Sequence, residues 1–174
     1  MFKNDLKRIE GKNNYKKILE NPEIQYIYIY RKYNSCKNRI IKKILYYFYR
    51  IYSFLFGFQI SLECKIGKGL NINHWGSIVI NPGVELGENI NLHPGITIGQ
   101  ENRGKRKGAP IIGNSVWIGA NVVIVGKINI GNNVLISPNT FINFDVPDNS
   151  IVIGNPGKII KSENATEGYI NRKV

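Results

Sequence analysis

Three observations predict an all-β parallel solenoid, preceded by a short helical segment, for this chain of 174 residues. An isoleucine or valine recurs at every sixth position in two unbroken runs, over 66–96 and over 112–142. A fixed period of six is typical of a parallel β-helix in which three hexapeptides close a coil of about eighteen residues. Ordinary alternating strands would show a period of two, with no reason to keep six.

Glycine follows the repeated residue at four corners, at Gly67, Gly113, Gly119 and Gly131. A tight corner between short strands leaves little room for a side chain, and glycine adopts a positive φ more readily than other residues. We therefore expect these four glycines to occupy conformations that other residues avoid. The repeated isoleucine and valine side chains are expected to point to the axis and stack from coil to coil.

The chain is predicted to have three parts. Residues 1–57 are expected to be a basic, aromatic-rich helical cap, because solenoid ends need capping. The β-helix domain is placed at 58–160, and residues 161–174 are expected to form a polar, loose tail. Within the cap the pattern predicts a polar helix over 1–20, a second element from Pro22, and an amphipathic helix over 37–56.

The net charge of +12 is concentrated near the amino terminus. Residues 1–60 hold thirteen basic and four acidic side chains among many tyrosines and phenylalanines. Basic residues interleaved with aromatics suit an anionic membrane surface or nucleic acid, whereas the simpler interpretation is a cap with solvated lysines. We expect the cap, add the hypothesis of a peripheral membrane contact through residues 1–57, and expect no nucleic-acid partner.

The composition favours a cytoplasmic protein, with the inner face of the membrane as a further location. No apolar stretch approaches the roughly 18 residues needed to cross a bilayer, and the amino terminus lacks the apolar core of a signal peptide. Cys36 and Cys64 lie in different segments without CxxC spacing, so neither a disulfide framework nor a zinc site is indicated.

One interruption breaks the six-residue period between Ile96 and Ile112. The additional segment, 100–109, is basic and rich in glycine, so we expect it to leave the prism as an exposed loop. Insertions in repeat proteins tend to lie on the binding face. Arg103 in this loop is therefore a candidate substrate-binding residue.

The chain has only two histidines, His74 and His93. With about eighteen residues per coil, Ile72 and Ile90 are expected to stack, which places both histidines at one corner of the prism, one coil apart. Histidine is the natural general base near neutral pH, so both are candidate catalytic residues, with Asn73 beside them as a substrate-binding candidate.

Two other chemistries fit poorly. An open catalytic zinc site of histidine type would need three histidine ligands, and the chain has two, so we expect no metal. A serine hydrolase would need a nucleophile motif of the G-x-S-x-G type, which the sequence lacks.

Several segments resemble the serine O-acetyltransferase branch of the hexapeptide-repeat acyltransferases, in motif order and in loop length. The resemblance covers roughly residues 58–160 and is carried by 66–80, 95–99, 110–113, 116–121, 145–147 and 154–158. It implies a left-handed β-helix, an exception to the right-handed crossover rule. It also implies a homotrimer with acetyl-CoA held in clefts between subunits.

The resemblance also implies roles for individual residues. His74 corresponds to the family's catalytic histidine, which would deprotonate the acceptor hydroxyl that attacks the thioester. Residues near the pantetheine arm and the nucleotide phosphates of related sugar acetyltransferases correspond to Trp117, Gly119, Ala120, Lys158 and Lys161.

Two departures from the family pattern concern the acceptor. Serine acetyltransferases carry an aspartate fifteen residues before the histidine, where this chain has Gln59. They also carry Arg-His before the proline that ends the loop, where this chain has Gly108 and Ala109. We therefore expect a sugar acceptor, as in capsule or surface-polysaccharide O-acetyltransferases, with Gln59 near the substrate. Serine is the alternative acceptor, and a non-catalytic hexapeptide scaffold is the alternative of another class.

Overall fold

The computed structural model describes residues 1–11 and 15–174, in which four α-helices precede fifteen short strands. The helices are α1 (Phe2–Glu10), α2 (Lys17–Glu20), α3 (Pro22–Ser35) and α4 (Arg39–Phe56). The strands are β1 (Phe58–Ile60), β2 (Lys65–Ile66), β3 (Asn71–Ile72), β4 (Ile78–Ile80), β5 (Glu85–Leu86), β6 (Asn91–Leu92), β7 (Thr97–Gly99), β8 (Ile111–Ile112), β9 (Val116–Ile118), β10 (Val123–Val125), β11 (Asn129–Ile130), β12 (Val134–Ile136), β13 (Phe141–Ile142), β14 (Ser150–Ile153) and β15 (Lys158–Lys161).

Every third strand joins the same sheet, so the chain winds into a three-sided prism. The first sheet has the order β1-β4-β7-β10-β13, the second β11-β8-β5-β2, and the third β15-β14-β12-β9-β6-β3. All neighbours pair in parallel except β14 and β15, which pair antiparallel. The predicted parallel β-solenoid with an amino-terminal helical region is confirmed.

The repeated isoleucines and valines fill the prism, as the period predicted. All twelve are at most 7% exposed, and Ile78, Ile90 and Ile118 are completely buried. In β1, β4 and β9 a buried inward residue alternates with a less buried outward one, as a two-residue pleat requires. Burial of these columns is the main source of solenoid stability.

The coils differ in length, which corrects the expected stacking. Asn71 pairs with Asn91, a spacing of 20 residues, and Ile72 therefore lies beside Leu92 and not beside Ile90. The longer coil has its additional residues at the corner between β3 and β4, which carries His74. The next coil has the 18-residue spacing, as between Val79 and Thr97. The third coil is the longest, because the 100–109 loop is inserted after β7, and the spacing is again 18 between Trp117 and Leu135.

The four corner glycines do not have the expected positive φ. They are required instead because neighbouring coils approach closely: a Cβ on Gly67 would lie 2.5 Å from the carbonyl oxygen of Gly87. The left-handed conformation falls two residues later, on residues such as Asn121 and Asn133. Asparagine tolerates this conformation better than most residues with a side chain.

The amino-terminal helices contact the first coil through buried polar groups. The expected helix over 1–20 is split, because α1 ends at Glu10 and is capped by Gly11, which has a φ of 76°. Arg31 of α3 pairs with Asp5 of α1 at 2.9 Å, and both side chains are at least nine-tenths buried. Asp5 accepts hydrogen bonds from the backbone N–H groups of Gly69 and Leu70, which ties α1 to the solenoid.

The carboxy-terminal segment is not loose, contrary to expectation. It runs back over the outer face of the third sheet, where Ala165, Thr166 and Ile170 are buried. Thr166 donates its hydroxyl to Asn133 Oδ1 at 2.6 Å, and the backbone N–H of Val174 donates to Asn89 Oδ1 at 2.9 Å. Its buried apolar side chains and these hydrogen bonds hold the segment against the third sheet.

Candidate functional site

A cavity of about 440 Å³ lies at the start of the third sheet, between α1 and the carboxy-terminal segment. The sheet contributes outward-facing residues of β3, β6 and β9 and of the corners that follow them. The lining residues are Arg8, Ile9, Asn71, Asn73, His74, Asn91, His93, Trp117, Gly168, Tyr169, Asn171 and Arg172. The cavity is therefore formed by three parts of the chain that are far apart in sequence.

Both histidines line this cavity, although their register differs from the one expected. Because Ile72 lies beside Leu92, the residue next to His93 in the preceding coil is Asn73. The Asn73 Nδ2 atom is 3.3 Å from His93 Nε2. The longer corner after β3 then places His74 beside this pair.

Hydrogen bonds on both ring nitrogens fix the state of His93. Its Nδ1 lies 3.0 Å from the carbonyl oxygen of Ile118, which can only accept, so Nδ1 carries the proton. Nε2 then accepts from Asn73. Burial lowers the pKa of His93 below its ordinary value, the Ile118 hydrogen bond opposes this effect, and His74 nearby adds to it. The neutral imidazole is thus the favoured form.

His74 is arranged differently. It is exposed, and its φ of 68° lies in the left-handed region, where a residue with a side chain is uncommon. Among the described residues, none hydrogen-bonds to its ring. Both nitrogens of His74 are consequently available to a ligand in the cavity.

Two arginines make the cavity cationic. Arg8 is 4% exposed and donates to the carbonyl oxygen of Gly69 at 2.7 Å and to Asn91 Oδ1 at 2.6 Å. Burial lowers its pKa to about 10, and Asp5 opposes this effect. Arg172 donates from Nη1 to the carbonyl oxygen of Ile9 at 2.6 Å. In the described part of the chain, no lining residue carries a carboxylate.

Aromatic rings form the wall between the sheet and the carboxy-terminal segment. Trp117 lies 4.4 Å from His93 and 5.1 Å from Tyr169, measured between ring centroids. The backbone carbonyl of Tyr169 accepts from Asn91 Nδ2 at 3.2 Å. These contacts hold residues 168–172 against the cavity.

Four of the predicted site residues meet at the cavity and six do not. Asn73, His74, His93 and Trp117 are lining residues. The others, which lie outside the lining set of the described chain, are Gln59, Arg103, Gly119, Ala120, Lys158 and Lys161. Gln59 is exposed on β1, in the first sheet, and makes no hydrogen bond with His74. Arg103 is exposed in the loop inserted after β7.

Close packing between coils explains why position 119 is a glycine. A Cβ at this position would lie 2.7 Å from the backbone nitrogen of Pro138 in the next coil. Coil packing alone therefore requires glycine there. Lys158 and Lys161 are exposed on β15, and Lys161 lies 3.7 Å from Glu163 Oε1.

The sequence did not predict eight of the twelve lining residues of this cavity. The largest omissions are Arg8, Asn91, Tyr169 and Arg172. The first lies on the helix that was assigned to the cap, and the last two lie in the segment that was expected to be loose. That segment contains an aromatic and an apolar residue, Tyr169 and Ile170, and these could have indicated that it packs against the solenoid.

A second cavity, of about 1020 Å³, lies between the amino-terminal helices and β2. Its lining is mostly apolar, with Phe2, Leu19 and Tyr28 among the residues. Of the described residues that line it, none is a histidine, so the acid–base chemistry points to the smaller cavity. The described residues also hold no cluster of three or more histidine, cysteine or acidic side chains that could bind a metal.

Comparison with known proteins supports the resemblance. The family model described as bacterial transferase hexapeptide (six repeats) matches residues 109–143. A serine acetyltransferase of Helicobacter pylori (strain ATCC 700392 / 26695) is 30% identical over 153 residues, covering 88% of this chain and 90% of that protein. The chain belongs to the serine acetyltransferase family. It is accordingly an acyltransferase that uses acetyl-CoA as co-substrate, as predicted.

Solved structures of this family have the same fold. The Neisseria gonorrhoeae serine acetyltransferase in complex with serine has a TM-score of 0.73 and is 29% identical, with 91% of this chain covered and 65% of that one. The Brucella abortus strain S19 serine acetyltransferase in complex with coenzyme A has a TM-score of 0.76 at 23% identity, with 92% and 65% covered. The chain thus spans somewhat less than two thirds of these family members.

Proposed function

We propose that this chain is a serine O-acetyltransferase in which His74 is the general base. The observation that carries the proposal is the cavity itself, which combines an exposed histidine with two arginines and no carboxylate among its described lining residues. Such a site suits an acceptor that has both a hydroxyl and a carboxylate. The Helicobacter pylori relative, aligned over nine-tenths of its length, supports the same acceptor.

The chemistry assigned to His74 is proton transfer, first as a base and then as an acid. The imidazole accepts the proton of the serine hydroxyl while that oxygen forms its bond to the acyl carbon, and the carbon–sulfur bond breaks. The proton then leaves the imidazolium for the thiolate, so that free CoA thiol is the second product. His74 suits this role because both of its nitrogens are available, whereas those of His93 are occupied.

His93 is proposed to position the acceptor side of the cavity. Its neutral ring orients the Asn73 amide and lies against Trp117, which gives this wall a fixed shape. The ring acts on the reaction through these neighbours, so His93 is a positioning residue in this proposal.

Acetyl-CoA supplies the activated acyl group when it is bound. Its phosphates need cations, and the exposed side chains of Lys158 and Lys161 on β15 fit that requirement. We keep these two lysines as the proposed phosphate ligands. A homotrimer with acetyl-CoA between subunits, as the family resemblance implies, would explain why they lie outside the cavity of a single chain; light scattering of the purified protein would measure its mass.

The sugar acceptor expected from the sequence is less well supported than serine. That expectation rested on Gln59 in place of the family's aspartate and on the missing Arg-His pair at Gly108 and Ala109, and the pair is the departure that concerns a carboxylate. The structure supplies cations from other elements, at Arg8 and Arg172, so the absence of the pair no longer argues against a carboxylate.

The test is the release of CoA thiol from acetyl-CoA with L-serine or with a panel of sugars and nucleotide sugars. We expect turnover with serine and a loss of about 10²–10⁴-fold in kcat for His74→Ala, the usual contribution of a general base. Trp75→Ala is the matched control, because Trp75 is the exposed neighbour and lies outside the cavity lining. Turnover with a sugar alone would refute serine as acceptor, and acetyl-CoA binding without any turnover would favour a scaffold.

We also propose that α4 contacts an anionic membrane surface. Its outer face is apolar and exposed, with Ile40 74% and Phe54 88% exposed, while Tyr49 on the opposite face is buried. The helix contains four basic and no acidic residues, which suits anionic headgroups. None of the helices in the described residues is long and apolar enough to cross a bilayer.

Vesicle flotation tests this membrane contact. We expect binding to vesicles that contain phosphatidylglycerol, little binding to phosphatidylcholine alone, and loss of binding in Phe54→Ser. Ile111→Ser, at an exposed residue of β8 that lies outside α4 and outside the cavity lining, is the control. Absence of flotation together with a mass change in Phe54→Ser would show that a second copy of the chain covers this face.

A further inference from the structure

Arg172 is the lining residue with the most donors left for a ligand. A guanidinium has five N–H groups. In the described part of the chain, the carbonyl oxygen of Ile9 is the one hydrogen-bond acceptor that Arg172 contacts, at 2.6 Å from Nη1. Arg8, by contrast, is buried and already donates to Gly69, Ile90 and Asn91.

The position of Arg172 is fixed although its side chain is exposed. Ile9 lies in the last turn of α1, where carbonyl oxygens have no partner within the helix and the helix dipole favours a cation. The backbone around Arg172 is held by Tyr169 on Trp117 and by the hydrogen bond from Val174 to Asn89. Arg172 also has a left-handed backbone, with φ of 54°. These contacts keep the guanidinium at the rim of the cavity.

We infer that Arg172 binds the carboxylate of the acceptor and so selects an amino acid over a simple alcohol. The inference rests on the proposed serine acetyltransferase activity. A planar guanidinium with free N–H groups binds a carboxylate through two parallel hydrogen bonds, which fixes the acceptor's orientation as well as its charge. His74, which lines the same cavity, would then face the hydroxyl end.

The buried Arg8 assists this selection by its charge. Its Nε atom is buried and has no hydrogen-bond partner among the described residues. A second positive charge behind the cavity raises its affinity for an anion without forming the contact itself. Arg8 is therefore unsuitable for the decisive test, since its replacement would also break three hydrogen bonds to the solenoid.

The experiment compares L-serine with 2-aminoethanol, which keeps the hydroxyl and the amine but lacks the carboxylate. For Arg172→Gln we expect KM for serine to rise about 10–100-fold, the range expected for loss of a charged hydrogen bond, with kcat/KM for 2-aminoethanol unchanged. Arg172→Lys should retain part of the preference, because lysine keeps the charge but not the planar fork.

Lys173→Gln is the matched control, since it removes the same charge from the next residue, which is exposed and not a lining residue. It should leave both acceptors unaffected. An equal loss with serine and 2-aminoethanol in Arg172→Gln would mean that Arg172 only holds the carboxy-terminal segment, and unchanged serine kinetics would refute the inference outright. If the unmodified protein turns over no serine, the proposed function fails first, independently of any Arg172 variant.

Discussion

His93 donates a hydrogen bond from Nδ1 to the carbonyl oxygen of Ile118, 3.0 Å away in the next coil. This bond distinguishes the two histidines by the availability of their ring nitrogens. It fixes the tautomer of His93, leaves Nε2 to accept from Asn73, and joins the second and third coils at the wall of the cavity. The other histidine, His74, has no such bond in the described structure, so both of its ring nitrogens are available to a ligand.

Protein stability should fall in mild acid because of His93. Burial lowers the pKa of His93 in the folded protein below its value of about 6.5 in the unfolded chain. As the pH falls through that value, the unfolded chain therefore takes up a proton more readily than the folded protein does. The stabilisation is present above that pH and is lost as the pH falls. Thermal unfolding between pH 7.5 and 5.5 should therefore show a weaker pH dependence for His93→Gln than for the unmodified protein. His74→Gln, which changes an exposed ring, is the control.

Asp5→Ala should destabilise the protein by about 3–5 kcal/mol, because it leaves Arg31 buried without its counter-ion. Urea unfolding measures the effect. Glu85→Ala is the comparison, since its pair with Lys65 is short, at 2.6 Å, but exposed; it should cost about 1 kcal/mol or less. Similar losses in the two variants would show that the buried pair does not anchor α1.

Gly67→Ala should cost about 1–3 kcal/mol, since the new methyl would lie 2.5 Å from the Gly87 carbonyl oxygen and force the two coils apart. Gly99→Ala is the matched variant in a strand, where the nearest atom would be 3.7 Å away, and we expect little change. Equal melting temperatures for the two variants would contradict the view that close coil approach selects these glycines.

Ile170→Ala should destabilise the carboxy-terminal segment, because Ile170 is only 5% exposed against the solenoid. We expect a loss of about 2 kcal/mol or more in global or local stability, seen as faster hydrogen exchange of residues 165–172. Ile160→Ala, at a residue that is 53% exposed, should leave exchange unchanged. Slow exchange in both variants would mean that hydrogen bonds alone hold the segment.

The core of the fold could be predicted from the sequence because one physical requirement repeats. Each coil must bury one apolar residue per side, so the period of six at positions such as Ile66 and Ile118 predicted the prism and its contents. The lengths of the individual coils were harder to predict from the sequence. Ile72 and Ile78 are both buried and six residues apart, so the six-residue period is unbroken between β3 and β4. The strand pairing nevertheless shows that this corner is longer than the corresponding corner between β6 and β7 in the next coil.

The candidate site was predictable only in the part that lies on the solenoid. His74, His93 and Trp117 follow the repeat, and their proximity follows from coil geometry. Arg8 and Arg172 belong to segments without a period, whose positions depend on tertiary contacts such as the hydrogen bond between Arg172 and Ile9. Local sequence carries no record of such a contact, which is why these cations were missed.

The carboxy-terminal segment changes how the coils depend on one another. In a simple solenoid each coil contacts only its neighbours, so the ends can unfold while the middle stays intact. Here residues 162–174 run from the last coils back to the first, and Arg172 and Val174 bind α1 and Asn89 there. The carboxy-terminal segment thus links the last coils to the first. Unfolding of the coil that carries His74 therefore requires release of a segment that begins at the opposite end of the solenoid.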